Sequence, residues 1–359
     1  MQKILFICVH RPDRSPSQRF RFEQYISYFE SNGFACEWSY LIDEKDDKRF
    51  YSSGNLIHKF NVLIKSINKR LQDVSNAKNY DIVFIQREAF FLGTAFFEKK
   101  IAQSNTKLIF DFDDSIWLSN VSEGNKRLEW LKGYGKIKKI ISLADVVIAG
   151  NNYLKQYAAN YNQNVIVIPT TIDTDYHVPK LPEEKKSICI GWTGSPTTIS
   201  HFRLIIPVLQ NLKNKYGNKI YFKVIGDKHY QEKSLSIQGI EWKRESEIED
   251  LHEFDIGIMP LVDDEWAKGK CGLKGLQYMA LEIPTVMSAV GVNTEIIEEG
   301  KNGYLAANKN EWIEKLSLLI ENEDLRSKLG KEARKTIENK YSVNSQKENY
   351  LNVFKELVS

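Results

Sequence analysis

The sequence predicts an α/β protein made of two Rossmann-like domains, and three observations carry that expectation. Short apolar runs of strand length alternate with amphipathic stretches of helical period, as in parallel sheets covered by crossover helices. The alternation pauses once, over the proline- and charge-containing stretch TTIDTDYHVPKLPEEKKS, and then restarts. The chain has 359 residues, about twice the length that one hydrophobic core serves well. The expected division is an N-terminal domain over residues 1–170, a linker over 171–187, a C-terminal domain over 188–338, and a last helical segment over 339–359.

KILFICV is expected as the first strand, FEQYISYFESNG as a helix ended by Gly33, and ACEWSYL as the second strand. In NLIHKFNVLIKSINKRL the residues Leu56, Ile57, Phe60, Leu63, Ile64, Ile67 and Leu71 share one stripe, which predicts a helix packed on its own sheet. Lys59, Lys65, Lys69 and Arg70 then form a solvated basic back, a pattern also compatible with an anionic membrane surface. DIVFIQ, KLIFDF, DVVIAG and VIVIP complete the strands of the first half. In the second half SICIGWTG, KIYFKVIGD, IEWK, DIGIMPL and IPTVMS read as strands, followed by the helices EWIEKLSLLIEN, DLRSKLGKEARKTIENKY and SQKENYLNVFKELV. The two halves are similar in architecture, without a sequence repeat.

Fifty basic against forty-seven acidic residues give a net charge of +3, too small to argue for a nucleic-acid partner. The start shows no cleavage-site pattern, and no segment is long and apolar enough to span a bilayer. Cys8, Cys36, Cys189 and Cys271 are scattered without metal-binding spacing, which fits a reducing cytoplasm.

Four stretches could carry chemistry. In ICIGWTGSPTTISHF a strand enters a turn at Gly194, with Ser195 placed as an N-cap and Pro196 at the first helical position; such a helix start favours phosphate, although any α/β protein caps helices this way. In KGKCGLKGLQYMALEIP a helix is expected to begin near Gly272. Leu273, Leu276 and Ala280 should form its buried stripe, with Lys274 and Gln277 on the other face and Lys270 just before the first turn. Two ammonium groups there would suit a diphosphate; the alternative is a solvated Lys-rich face. Asp111, Asp113 and Asp114 follow a strand at the carboxyl end where open α/β sheets bind ligands, or they are loop acids and caps. Arg19, Arg21, Arg87 and Glu88 stand near strand ends of the same half, as contacts for a substrate or as ion-pair partners.

Two further blocks carry a family resemblance. LADVVIAGNNYLKQYAANYNQNVIVIPTTIDTDYH and MALEIPTVMSAVGVNTEIIEEGKNGYLAAN, together with SQRFRFEQY and IFDFDDSIW, resemble the retaining glycosyltransferases of family four, the group 1 type, in a bacterial surface-glycan subgroup. The resemblance implies the GT-B fold: two Rossmann-like domains facing a cleft, with the C-terminal helix crossing back to the N-domain. It implies a nucleotide-diphospho-sugar donor, a glycan or lipid-linked acceptor, peripheral contact with the inner face of a membrane, and neither cofactor nor metal. Gly194, Ser195, Gly272, Leu273, Gln277, Trp242 and Lys243 would hold the donor. Lys270 and Lys274, with Asp113 and Asp114, would serve catalysis, and Arg19, Arg21, Arg87 and Glu88 would line the acceptor side.

The departures define the question. Aligned on MALEIP, the family's two donor-site glutamates fall on Gly269 and Gln277, and the usual basic residues after the first C-domain strand are replaced by GWTGSPTT. Lys270 and Lys274 could supply the missing charge, and Gln277 could still bond a ribose hydroxyl. No histidine stands beside Asp113 in sequence. The alternatives are a non-catalytic sugar-nucleotide or glycan-binding subunit and a GT-B sugar-nucleotide epimerase.

Overall fold

The computed structural model describes residues 1–51, 54–118, 133–181 and 185–359. They form two compact units, Met1–Thr170 with Gln346–Ser359, and Thr171–Ser345. The first unit carries β1 Gln2–Ile7, β2 Phe34–Ser39, β3 Ile82–Gln86, β4 Lys107–Phe112, β5 Val146–Ala149 and β6 Val165–Val167. They pair in parallel in the order β2-β1-β3-β4-β5-β6. Ile4, Phe6, Ile7 and all of Ile82 to Ile85 have no exposed surface, which is why these strands read as continuous apolar runs without alternation.

Right-handed crossovers assign the layers. The β1-to-β2 connection runs toward one edge of the sheet and the later connections run toward the other, so helix Ile26–Ser31 covers one face and the helices between β2 and β6 cover the opposite one. The C-terminal residues of the chain join the first layer: Phe354 meets Phe29 edge-on at 4.8 Å, and Tyr350 lies 4.8 Å from Tyr25.

The helix Leu56–Asn76 forms where its period predicts, but it is turned about its axis. Val62, Ser66, Arg70 and Asp73 face inward, while Ile57 is 80% exposed, Phe60 60%, Leu71 46% and Ile64 43%. The cause is Arg70, expected on the solvated back and instead fully buried. Its Nη2 donates to the carbonyl of Cys8 (2.6 Å), its Nε to the carbonyl of Ala89 (2.5 Å), and its Nη1 to Ser39 Oγ (2.8 Å) and Asp73 Oδ2 (2.7 Å). One guanidinium thus ties together the chain just after β1, the end of β2 and the loop after β3. A buried charge is tolerable when each of its nitrogens is answered in this way.

The second unit carries β7 Ile188–Thr193, β8 Ile220–Ile225, the two-residue hairpin strands β9 Gln231–Glu232 and β10 Ile237–Gln238, and β11 Ile256–Met259, β12 Thr285–Ser288 and β13 Tyr304–Ala306. The main sheet is parallel, in the order β13-β12-β11-β7-β8. The strand expected at IEWK shrinks to a single bridge between Ile240 and Ile225, because the chain enters it straight from the hairpin at the sheet edge. The stretch expected as a linker is fixed in this unit over its first residues. Ile172 bridges Ser342, and Arg334 gathers the carbonyls of Thr174 (3.0 Å), His177 (2.5 Å) and Ala280 (2.6 Å). Linker residues 182–184 lie outside the described residues. The last helices run over Lys309–Glu321, Glu323–Thr336 and Val343–Val358.

Candidate functional site

In the second unit β7 leads to Trp192, whose side chain is fully buried, and then to the turn at Gly194 and Ser195. A Cβ on Gly194 would lie 2.2 Å from the Trp192 ring, so the glycine lets the turn cross the indole. Lys274 Nζ sits 5.4 Å from the centre of the same ring. The GSPTT turn and the lysine of the distant helix therefore share one aromatic platform, a cation over the face of an indole. Trp192 Nε1 is buried without a hydrogen-bond partner among the described residues.

The expected helix start differs in detail. Pro196–Thr198 is a single 3-10 turn, followed by the short helix Ile199–Arg203 and then by Ile206–Tyr216. Pro207 causes the break, because it lacks the N–H that would reach back to Arg203. The amides expected to receive phosphate are also engaged: Gly194 N donates to the carbonyl of Ile225 (2.9 Å) and Ser195 N to Thr198 Oγ1 (2.9 Å). A short helical piece has little dipole, so the hydroxyls of Ser195 and Thr197, 2.9 Å apart, are the groups this turn offers. The positive charge comes from elsewhere.

That charge is Lys270 and Lys274. Lys270 Nζ stands 5.4 Å from the Trp266 ring centre. Both lysines act on His201, which the sequence reading passed over. Burial, then Lys274 and Lys270, push its imidazole down to about 4, leaving it neutral at pH 7, and its Nδ1 is buried without a partner among the described residues. His201 thus shows that the two ammonium groups and the helix after the GSPTT turn occupy one neighbourhood.

Gly272, at φ +72°, turns the chain into the helix Leu273–Ala280, where the sequence predicts an entry. The expected two-faced pattern does not hold: Gly275 to Ala280 are all buried. Gly275 does not leave backbone free for a ligand, since a Cβ there would meet Met287 Cε at 1.8 Å. Leu273 is half-buried at the start of this helix. Gln277, expected on the open face, is 5% exposed and donates from Nε2 to Glu247 Oε1 (2.9 Å). The same carboxylate oxygen accepts from Trp242 Nε1 (3.2 Å), and His177 Nε2 lies 3.5 Å from Gln277 Nε2. Glu247 is the second residue that sequence reasoning missed; thirty positions from Gln277, it gives no local signal. Its carboxylate fixes the amide orientation, because the amide oxygen would be repelled there, and Gln277 Oε1 is left as the acceptor. Lys243 is exposed beside Trp242. Of the three acids just before Gly269, Asp264 caps the turn at Ala267 (2.7 Å), Glu265 pairs with Lys268 (2.8 Å), and Asp263 is exposed.

In the first unit the candidates separate. Arg87 adopts φ +62°, rare for a side chain of its size, with its amide on the carbonyl of Asp111 (2.7 Å). Its Nε donates to Asp113 Oδ1 (2.7 Å), and its Nη2 is 3.8 Å from Asp114 Oδ2. Glu88 pairs with Lys136 (2.8 Å). Arg21 is a correction: it is fully buried, with Nη2 on Asp111 Oδ1 (2.5 Å), Nε on Asp111 Oδ2 (3.2 Å) and Nη1 on the carbonyl of Ile168 (2.5 Å), and cannot reach a substrate. Asp111 is likewise structural. Arg19 is buried as well, its guanidinium 4.8 Å from the Phe20 ring centre.

The same sheet end gathers residues from the RPDRSPSQRF loop that sequence reasoning did not single out. His10 Nε2 bonds Tyr51 Oη (2.7 Å), and Arg11 Nη1 (2.7 Å) and Arg14 Nε (2.5 Å) share Asp47. Burial, with Arg14 and Arg87 nearby, pushes His10 down to about 4. No histidine stands beside Asp113 in sequence, yet His10 lies within electrostatic reach of Arg87, the arginine that holds Asp113. Glu23, pushed up to about 7 by burial, accepts from the Asp13 amide (2.8 Å) and Gln18 Nε2 (3.1 Å). Among the described residues no cluster of His, Cys, Asp or Glu is arranged to hold a metal ion, and no helix is long and apolar enough to cross a membrane.

Two Rossmann-like units, each built on a parallel sheet, define the GT-B architecture, and comparison with known proteins agrees. Residues 185–322 match the model of the family described as glycosyl transferases group 1. A glycosyltransferase structure from Rickettsia africae ESF-5 superposes with a TM-score of 0.69 at 17% identity, covering 100% of this chain and 99% of that one. The structure of Anabaena Alr3699/HepE in complex with UDP and glucose gives a TM-score of 0.65 at 13% identity, covering 99% and 100%. Among curated proteins, spore coat protein SA of Bacillus subtilis (strain 168) is 35% identical over 83 residues, 22% of each chain. The matching stretch thus spans about a fifth of that relative's length.

Proposed function

We propose that this chain is a retaining glycosyltransferase that moves a sugar from a nucleotide-diphospho-sugar to a glycan or lipid-linked acceptor in the synthesis of a bacterial polysaccharide or surface glycan. The observation that carries the reading is the Trp192 platform, with Gly194 and Lys274 on one ring, inside the segment that matches the group 1 model. When the bond between the sugar C1 and the diphosphate oxygen breaks, negative charge grows on the diphosphate and oxocarbenium character on the sugar. Fixed ammonium groups at Lys270 and Lys274 stabilise that charge more in the transition state than in the ground state. The acceptor hydroxyl forms the new C1–O bond on the face the diphosphate leaves, and its proton passes to the departing phosphate oxygen, so configuration is retained. Two lysines supply the charge a divalent ion would otherwise bring, and the reaction needs no resident cofactor.

Gln277 Oε1, oriented by Glu247, is assigned to a ribose hydroxyl, with Trp242 and Lys243 beside the base. Arg87, Asp113, Asp114 and Glu88, at the carboxyl end of the first sheet, are assigned to the acceptor. The four free cysteines support a reducing compartment, the cytoplasm. A second reading, a sugar-nucleotide-binding subunit without transferase activity, is favoured by one observation. Asp264 and Glu265, two of the three acids just before Gly269, are engaged by Ala267 and Lys268, so neither stands ready to replace the usual carboxylate at the transferred sugar.

A thermal-shift panel of nucleotide-sugars tests the assignment, with UDP-hexoses first because the Anabaena structure contains UDP and glucose. The matching donor, at about a hundred times its dissociation constant, should add about 2.7 kcal/mol of stability. Glu247→Gln should weaken that shift with every nucleotide, since an amide at position 247 no longer selects one orientation of Gln277. An intact shift in this variant would remove Gln277 from the nucleoside site. Tight binding without sugar transfer or slow donor hydrolysis would establish the binding-subunit reading instead.

A further inference from the structure

The helix Leu56–Asn76 presents four residues of its apolar stripe to solvent and its arginine to the core, with Leu63 and Ile67 half-buried between the two faces, the reverse of what a helix on its own sheet requires. Ile57, Phe60, Ile64 and Leu71 are all exposed, and by the 3.6-residue period they point away from the buried Val62, Ser66, Arg70 and Asp73. They form a row on one side rather than scattered surface residues. Charge is sorted on the same layer. This helix neighbours Glu44–Tyr51 on one side and Phe96–Ala102 on the other, which in turn neighbours Lys136–Leu143. The exposed charges of these helices include Lys45 and Lys48, Lys99 and Lys100, and Lys138 and Lys139. Their acids Asp46, Asp47, Asp73 and Glu98 are buried, and Glu44 is the one exposed acid among the described residues of the four helices.

We infer that this layer is the surface by which the protein docks on an anionic lipid bilayer, with Ile57, Phe60, Ile64 and Leu71 entering the headgroup region and the lysine pairs meeting acidic headgroups. An apolar ridge with cationic flanks and few exposed acids has the composition that binds such interfaces, in which burial of the ridge and attraction to the headgroups add. A second copy of the chain would bring two cationic surfaces together, and a nucleic acid would gain nothing from four exposed aliphatic and aromatic side chains in a row. The inference deepens the transferase reading by saying where a lipid-borne acceptor is met. Its evidence is separate from the donor site.

The test is co-sedimentation of the full chain with vesicles of phosphatidylcholine, with and without phosphatidylglycerol. Binding should require the anionic lipid and weaken as salt is raised. Phe60→Ser with Ile64→Ser, both at exposed positions, should lower the partition coefficient by about tenfold or more. Reversing Lys99 and Lys100 to glutamate should lower it by about fivefold or more for each lysine lost. Melting curves and nucleotide-sugar shifts without lipid should match the parent chain in both variants, so failure of the donor assignment leaves this result standing. Absence of binding to anionic vesicles, or binding unmoved by either pair, would overturn the inference. So would a concentration-dependent dimer, seen by light scattering and lost in the Phe60 and Ile64 variant, with no vesicle binding; that outcome gives the face to a second copy.

Discussion

Arg21→Met is expected to destabilise the first unit by about 3–5 kcal/mol, the cost of leaving a buried charge without its partner. Both side chains of the Arg21–Asp111 pair are fully buried, and the guanidinium spends three of its donors on Asp111 and the carbonyl of Ile168. Burial raises the Asp111 carboxyl above its ordinary value, and the charge of Arg21 works against that rise. Without the arginine the carboxyl rises further and takes up a proton. The pH dependence follows: a carboxyl whose folded value lies above its unfolded one penalises folding when ionised in both states. The penalty fades as pH falls through the folded value toward the ordinary carboxylate range near 3.8. The deficit of Arg21→Met should therefore be largest at neutral pH and narrow as the medium is acidified. Adding Asp111→Leu should restore most of the loss at pH 7, less about 1–3 kcal/mol for the Ile168 carbonyl that still lacks its donor. Denaturation with a probe in the first unit measures this. A deficit independent of pH, or a double variant no better than the single one, would show that the pair is not held as described.

The same pair shows what local pattern leaves out. The strands were readable because burial on both faces forces continuous apolar runs, as in ILFI and IVFI, and the entry of the Leu273–Ala280 helix was readable because Gly272 marks it. Arg21 and Arg70 read as surface residues by type. Each is instead the hub for groups from distant segments: Asp111 and Ile168 for one, and Cys8, Ser39 and Ala89 for the other. Periodicity identified the apolar stripe of Leu56–Asn76 without saying which side of the helix the sheet would take, and the satisfied arginine decided it. At the donor site the basic residues were legible as a pair, whereas their platform was not. Trp192 reads as one more core aromatic until the fold brings Lys274 over it. Gly194 and Ser195 carried the right turn and the wrong donors, since only pairing between β7 and β8 shows that the Gly194 amide is already used.

Lys274→Ala is expected to lower turnover with the true donor at least about tenfold, or about 1.4 kcal/mol of transition-state stabilisation, and to leave binding of the free nucleoside little changed. Its side chain is half-buried over the Trp192 face, so it acts with less screening than an exposed lysine, and the ring holds it near the GSPTT turn. Lys270→Ala should act in the same direction, and the two together should cost less than the product of the single effects if both lysines serve one diphosphate. Arginine at 274 keeps the charge but spreads it over a planar group that does not pack on Trp192 as an ammonium does, so partial activity is expected. A readout independent of catalysis locates the charge. Lys274 helps hold His201 down at about 4, so in Lys274→Ala the imidazole should titrate nearer its ordinary value, with burial still keeping it below. NMR titration of His201 reads this directly. An upward shift with unchanged turnover would place Lys274 at the turn and remove it from the chemistry. An unshifted histidine with lost turnover would place its action elsewhere in the molecule. Only the two changes together support the relocation of the diphosphate charge from the turn after β7 to the helix after Gly272.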